Sequence, residues 1–414
     1  MTEPRWNLSR AGSFWLLAAL LTSLLFAAST PSPLYPVYQA TWHFSPITLT
    51  AIYAVYAFAA LAALLVFGRV SDHVGRRPVT VLALAVQIAG MLAFIAAQGV
   101  EALYVARVLQ GFGTGLATGS ISAWLLDLQP RDDRRLGSLV GGIAPVAGLA
   151  LGAPGSSVLV QYGPDPLHLV FWLLTAFYAL ALVAMPAVPD PMERTPGWLR
   201  SLRPQIGVAR AARTTFAASA PSLIATWAVA GLYLSLGPSL AISMLGSDSR
   251  IAGGLVIAAL LGTGAIAAFL VRAADPRVVV IRGSLALIIG VAVTLFAVAM
   301  GSTVGLYAGS FIAGLGVGPA FSAVVRGVAP LAPPDKRGAL LAAVYVVVYL
   351  SFSVPAIIAG VGVNLYGLRP TTYAYALVVM ALAALTAVAF WRRPASAEGT
   401  ASEAEGRRAR EPGH

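Results

Sequence analysis

Long apolar stretches alternate with short polar ones along almost the whole chain. Each stretch is about 20 residues, the length of helix needed to cross a hydrocarbon layer of about 30 Å. Twelve are predicted, at roughly 12–30, 47–67, 79–98, 102–125, 137–160, 168–188, 216–240, 251–271, 279–300, 303–327, 339–363 and 372–391. Inside hydrocarbon a backbone N–H or C=O finds no water. The stretches must therefore be helices, whose hydrogen bonds close within the segment. The pattern predicts an all-α membrane protein with 12 transmembrane helices.

The first half of the pattern recurs in the second. Displaced by 203 positions, residues 69–137 fall on 272–340 without a gap. Arg69 lands on Arg272, Asp72 on Asp275, and Leu103-Tyr104 on Leu306-Tyr307. Gly111, Gly113 and Gly115 land on Gly314, Gly316 and Gly318, and Pro130, Asp132 and Arg134 on Pro333, Asp335 and Arg337. Internal repeats with a site at their interface are a common plan for secondary transporters. The expected organisation is an N-terminal six-helix lobe over 1–190 and a pseudo-symmetric C-terminal lobe over 216–393. The Pro- and Arg-rich segment 191–215 reads as a cytoplasmic linker, part of it an amphipathic helix along the headgroups. The tail 394–414 has no apolar period and is expected to be disordered and cytoplasmic. The first helix is expected to continue to about Tyr38 through Pro31, Pro33 and Pro36, and the seventh to break at Gly237-Pro238. Broken helices at matched places point to a binding site; prolines that merely end a helix near the outer surface leave the same trace.

Charge orients the chain. Hydrophobic residues make up 58% and charged residues 10%, against about 25% charged in a soluble domain; mean hydropathy is +0.81. Arginines fill every second loop: Arg69, Arg76 and Arg77; Arg131, Arg134 and Arg135; Arg194, Arg200, Arg203, Arg210 and Arg213; Arg272, Arg277 and Arg282; Lys336 and Arg337; Arg392 and Arg393. The alternate loops hold only Arg250 and Arg369. The positive-inside rule places both termini in the cytoplasm, with the chain expected in a plasma membrane, in a bacterium the inner membrane. The same arginines explain the net charge of +11. Nucleic-acid binding needs a basic face on one module, and here the arginines are spread over all the loops of one side. The N-terminus imitates a signal peptide: Arg5 and Arg10, an apolar run, then Phe26-Ala27-Ala28-Ser29. That run is already long enough to span, and its removal would break the pairing of the halves. There is no cysteine, hence no disulfide and no thiol chemistry.

The sharpest motif lies between the second and third spans: Gly68-Arg69-Val70-Ser71-Asp72-His73-Val74-Gly75-Arg76-Arg77-Pro78. It resembles the signature cytoplasmic loop of the major facilitator superfamily, Gly-x-x-x-Asp-x-x-Gly-Arg-Arg/Lys. The resemblance covers essentially residues 10–393 and implies two six-helix lobes that rock about a central site. It also implies that Gly68, Arg69, Asp72, Gly75, Arg76 and Arg77 act with an acid at the end of the fourth helix, here Asp127, to latch the lobes in the outward-facing state. In the second-half copy Gly75, Arg76 and Arg77 become Val278, Val279 and Val280, leaving Asp275 and Arg272.

The fourth helix carries Arg107-Val108-Leu109-Gln110-Gly111-Phe112-Gly113-Thr114-Gly115. At about 100° per residue Arg107, Gln110, Thr114 and Thr118 share a polar stripe. Gly111, Gly115 and Gly119 form a small stripe suited to close helix packing. An intramembrane charge is a functional candidate, and the family resemblance implicates this arginine in proton or substrate handling. Arg107 snorkelling to the outer surface near Glu101 is the alternative. The fifth helix holds Gly148-x-x-x-Gly152-Ala153-Pro154-Gly155-Ser156-Ser157. It resembles the family's antiporter signature in part: Ala153 interrupts Gly-Pro, and serines replace the final glycines. The match favours export by exchange; helix packing accounts for the same glycines.

No Asp or Glu falls in the middle of a predicted span. A cation in a low-dielectric cavity without a counter-charge is strongly disfavoured. Arg107, Arg326 and the neutral groups Gln39, Gln87, Gln110, Thr114, Trp124, Trp227, Tyr233, Tyr345, Tyr349 and Asn364 suit a neutral amphiphile or an anion better. His43 and His168 read as surface histidines. No Gly-Lys-Ser/Thr phosphate loop is present, so ATP is not the energy source. No catalytic constellation, metal site or cofactor is expected. The expected activity is alternating-access transport, with proton-driven export of a small neutral or anionic amphiphile as the first reading. Uptake of an organic anion or sugar is the second, and a non-transporting receptor the third. The expected partners are the bilayer, a small-molecule substrate and protons as coupling ion, with the chain acting as a monomer.

Overall fold

The computed structural model describes residues 8–130, 136–192, 195–245, 249–333 and 336–392. Arg5, Arg131, Asp132, Asp133, Arg134, Arg135, Arg194, Asp248, Asp335, Arg393 and the tail 394–414 lie outside the described residues. Among the described residues every regular element is a helix. The first half runs α1 (Arg10–Ser29), α2 (Tyr35–Trp42), α3 (Pro46–Phe67), α4 (Ser71–Val74), α5 (Arg76–Ile95), α6 (Val100–Leu128), α7 (Leu136–Tyr162) and α8 (Leu169–Ala184). After a short α9 (Trp198–Ser201) come α10 (Arg210–Ser235), α11 (Gly237–Leu245), α12 (Arg250–Leu270), α13 (Pro276–Met300), α14 (Thr303–Val328), α15 (Arg337–Tyr366) and α16 (Leu368–Trp391).

Among the described residues 11 helices are long and apolar enough to cross a membrane. The twelfth crossing is α6, which at 29 residues has the length but carries Glu101, Arg107, Gln110, Thr114 and Asp127. Arg107, Gln110 and Thr114 are buried because α1, α3, α5 and α7 pack around α6, while Glu101 and Asp127 lie near its two ends. The two expected helix breaks are present. The chain turns after Ser29 and resumes as α2, with Pro36 in its first turn. It breaks again at Leu236, between α10 and α11. α10 starts at Arg210, within the segment 191–215.

The two halves pack alike. The pairs α1–α7, α3–α6, α5–α6 and α5–α8 recur as α10–α15, α12–α14, α13–α14 and α13–α16. The register of the repeat differs from the gapless offset of 203 read from the sequence. That offset holds for α6 and α14: Gly111 lies on the backbone of Tyr56 as Gly314 lies on that of Leu260. It fails for α5 and α13. Gly113 meets Ala83 and Gln87, whereas Gly316 meets Gly283 and Leu287; Gly90 meets Ala106 and Gln110, whereas Gly290 meets Gly309 and Ala313. The structural offset there is 200, and α13 is 25 residues long against 20 for α5. Asp275 therefore stands where Gly75 stands in the first half, and Arg277 is the counterpart of Arg77. The copy has kept the second arginine of the motif.

The lobes meet through α3 with α15 and α7 with α12. Contact is close at the end of the bundle away from the α3–α5 turn. The ring of Tyr53 lies 4.9 Å from that of Phe352, Gly360 faces Thr50, and Gly254 faces Ala153, Pro154 and Ser157. At the end that carries the turn, Gly141 and Gly142 of α7 and Gly338 of α15 face nothing within 4 Å. There Val279, Val280, Val324, Leu340, Val344 and Phe390 of the second lobe form a core of their own.

Candidate functional site

After α3 the chain makes the one-turn α4, and Gly75 takes φ +100°, a conformation open to glycine. Arg76 is thereby carried back under the loop, where it is 7% exposed. Its guanidinium donates to Ser71 Oγ at 2.8 Å, to Asp72, and to Asp127 Oδ2 at 3.3 Å. Asp72, Arg76 and Asp127 thus form one charge cluster; Arg69 is exposed beside it.

A third acid, unforeseen from the sequence, holds the other side. Asp190 Oδ2 accepts the backbone N–H of Arg77 at 2.9 Å, satisfying one of the free donors at the start of α5. The Arg77 guanidinium donates to Val188 O at 2.6 Å, and Trp124 Nε1 donates to Pro189 O at 3.0 Å. In the second half Asp275 caps its own helix, accepting from Arg277 N at 2.7 Å and Val278 N at 3.2 Å. Arg277 reaches Phe390 O at 3.1 Å and Trp391 O at 3.3 Å, as Arg77 reaches Val188. The only sequence signal for Asp190 was an acid just past the end of the sixth span.

A second polar centre lies inside the first lobe. Arg107 is 0% exposed, so it does not snorkel to the surface. Its guanidinium donates to Ala28 O at 3.1 Å and to Gln110 Oε1. Gln110 Nε2 donates to Ala27 O at 2.8 Å. Gln87 Nε2 donates to Gln110 O at 3.0 Å and to Thr114 Oγ1 at 2.8 Å. The break after α1 explains the carbonyls of Ala27 and Ala28: at a helix end they are free to accept. The rings of Tyr56 and Tyr53 face the guanidinium, with centroids 4.4 and 5.6 Å from its carbon. Near it the hydroxyls of Tyr35 and Tyr53, Arg107 Nε and Gln87 Oε1 are buried without a hydrogen-bond partner, as is that of Tyr38 on α2, whereas the Tyr56 hydroxyl is turned to Thr114. Such a concentration of unsatisfied groups asks for an explanation. The four phenols were not singled out from the sequence, although Tyr35/Tyr38 and Tyr53/Tyr56 are each spaced by three, on one helix face. Among the described residues no carboxylate is buried.

The corresponding place in the second lobe is uncharged. Ser310 stands where Arg107 does, and Tyr233 fills the space, its hydroxyl 2.9 Å from Ser310 Oγ and 3.5 Å from Thr294 Oγ1. A chain of rings runs from the lobe junction through Phe352, Trp227, Phe321 and Tyr345 to Tyr349, with centroids 6.0 to 6.4 Å apart. Of the other candidates, Gln39 ties α2 to Phe44 O at 3.0 Å, and Asn364 is exposed near the end of α15. Arg326 is half-buried and tied to the backbone. It donates to Arg272 O at 2.7 Å and Ala274 O at 2.9 Å, closing the carbonyls after α12. Gly111 and Gly115 seat α6 on α3, and Gly148 and Gly152 seat α7 on α1, each against a backbone carbonyl. Pro154 lies at the α7–α12 junction beside Gly254.

Residues 16–302 match the family model of the Major Facilitator Superfamily. The chain belongs to the Major Facilitator Superfamily. It is therefore a multi-pass membrane transporter, and neither family nor fold points to an enzyme. The crystal structure of the nucleoside transporter NupG superposes with a TM-score of 0.72, covering 92% of this chain and 100% of that one at 15% identity, a likeness of fold. An uncharacterized transporter of Rickettsia felis is 30% identical over 122 residues. That match spans 29% of this superfamily member and 29% of the relative.

Proposed function

We propose that this transporter works by alternating access and exports a small neutral or anionic amphiphile, driven by protons, as a monomer in a plasma membrane. The carrying observation is the buried Arg107, beside the unpartnered phenols of Tyr35 and Tyr53 and with no buried carboxylate among the described residues. A guanidinium has five N–H donors, and the protein oxygens around this one take two of them. An anion or a strong hydrogen-bond acceptor complements that arrangement, and a cation is repelled by it. The aromatic chain from Tyr53 to Tyr349 suits the apolar part of such a ligand. Arginine bias puts the signature loop and both termini in the cytoplasm. The lobes touch at the opposite end, as they would in an inward-facing conformation. The cluster of Asp72, Arg76 and Asp127 is held within the first lobe, as a latch released from the second lobe would be. The lobes divide at 190 and 216. Gly148, Gly152 and Pro154 resemble the antiporter pattern, which favours export. The second reading is uptake of a metabolite such as an organic anion or sugar.

The test is a thermal-shift screen of the purified chain against matched anionic, neutral and cationic aromatic compounds, followed by liposome flux with an imposed pH gradient. Stabilisation by anionic or neutral members and flux that follows the gradient are expected. Preference for permanent cations, or binding without flux, contradicts the proposal.

A further inference from the structure

Arg282 is exposed on α13, six residues beyond Pro276 and so about 9 Å along the helix. It makes no hydrogen bond or ion pair among the described residues. The neighbouring arginines are occupied. Arg272 donates to Phe269 O at 2.9 Å and lies over the Phe269 ring, and Arg277 holds the end of α16. By the structural register the counterpart of Arg282 in the first lobe is Leu82, a residue 53% exposed. The second lobe has thus placed a cation where the first faces lipid with leucine. Beside it a groove of about 540 Å³ opens between α12, α13 and α14. Ile266, Leu270, Val278, Phe311 and Leu315 line it, each partly open to the surroundings. The groove starts at Ala274, in the turn before α13, and climbs to Phe311, more than half-way along α14 from that side.

We infer that this groove binds an anionic diacyl phospholipid of the leaflet on the signature-loop side. Its phosphate pairs with Arg282 and an acyl chain lies between α12, α13 and α14. Charge complementarity carries the assignment. An arginine facing hydrocarbon needs an anion or the interface, and basic pockets between transmembrane helices suit anionic headgroups. The apolar walls exclude a free phosphate as the natural occupant, because they would remain uncovered. A comparable groove of about 550 Å³ between α10, α15 and α16 has no charged residue in its lining, and selects no headgroup.

Native mass spectrometry of the full chain, titrated with phosphatidylglycerol and phosphatidylethanolamine of identical acyl chains, tests this. One phosphatidylglycerol is expected to bind about fivefold tighter than phosphatidylethanolamine, the effect of one basic residue on an anionic lipid. Arg282→Leu, which restores the first-lobe residue, should lose most of that preference. Arg200→Leu, in the linker, should keep it. Ala286→Phe should fill the groove and remove the tight site while leaving Arg282 in place. Soluble glycerol phosphate should not displace the lipid. No preference in the wild type, an unchanged preference in Arg282→Leu, displacement by glycerol phosphate, or a dimer that Ala286→Phe dissolves would each overturn the inference.

Discussion

Arg107 bears most of the functional argument at the residue scale. If its guanidinium meets the ligand, Arg107→Ala should weaken binding of an anion by on the order of 2–5 kcal/mol, the loss on truncating a buried charged partner. Neutral ligands should lose far less, and Arg107→Lys should rescue only in part, since an ammonium lacks the planar fork. Affinities of the three proteins for matched anionic and neutral ligands decide it; equal losses for both classes would reduce Arg107 to a packing role. Asp190 makes a separate prediction. Asp190→Ala should lower stability by about 1 kcal/mol, the usual loss of a helix cap, and Asp190→Asn by much less, because asparagine caps as well. Asp275→Ala should match Asp190→Ala in thermal melts; a melt unmoved by Asp190→Ala would refute the capping role. The polar stripe of Arg107, Gln110 and Thr114 was legible in the sequence because all three lie on one helix, where spacing fixes the face. Asp190 and the role of Arg326 were not. Both act on backbone groups distant in sequence, and a carbonyl left free by a turn has no signature in side-chain pattern.

Glycine contacts set the helix packing at the element scale. A methyl group on Gly111 would meet the Tyr56 carbonyl and the Ala59 side chain, whereas one on Gly142 meets nothing within 4 Å. Gly111→Ala should therefore destabilise by about 1–3 kcal/mol through overpacking. Gly142→Ala should be neutral or stabilising, since alanine is the better helix former. Thermal midpoints of opposite sign are expected, and equal shifts would contradict the α3–α6 packing. The crossings and the matched breaks after Ser29 and Ser235 were legible, because apolar length and proline each have a direct structural meaning. The register of α13 was not. A slip of three residues is close to one helical turn, so apolar faces superpose nearly as well at an offset of 203 as at 200. Only the contacts of Gly90, Gly113, Gly290 and Gly316 distinguish the two.

Orientation and motion belong to the whole molecule. The cysteine-free chain permits single-cysteine labelling: Arg203→Cys should resist an impermeant thiol reagent in intact cells and Asp165→Cys should react. Reversed labelling would invert the topology. The two-lobe plan was visible in the sequence repeat. The end at which the lobes touch was not, since it depends on contacts between α3 and α15 and between α7 and α12 that no repeat encodes. Those contacts also supply the most direct test of alternating access. A Cβ built on Gly360 lies 3.0 Å from Cβ of Thr50, close to the 3.5–4.5 Å that a disulfide spans. In the Thr50→Cys/Gly360→Cys protein, oxidation should fix the lobes together at that end. Liposome flux of the best-stabilising compound should then fall to the protein-free background and return on reduction. Flux that continues unchanged through the oxidised protein would contradict alternating access.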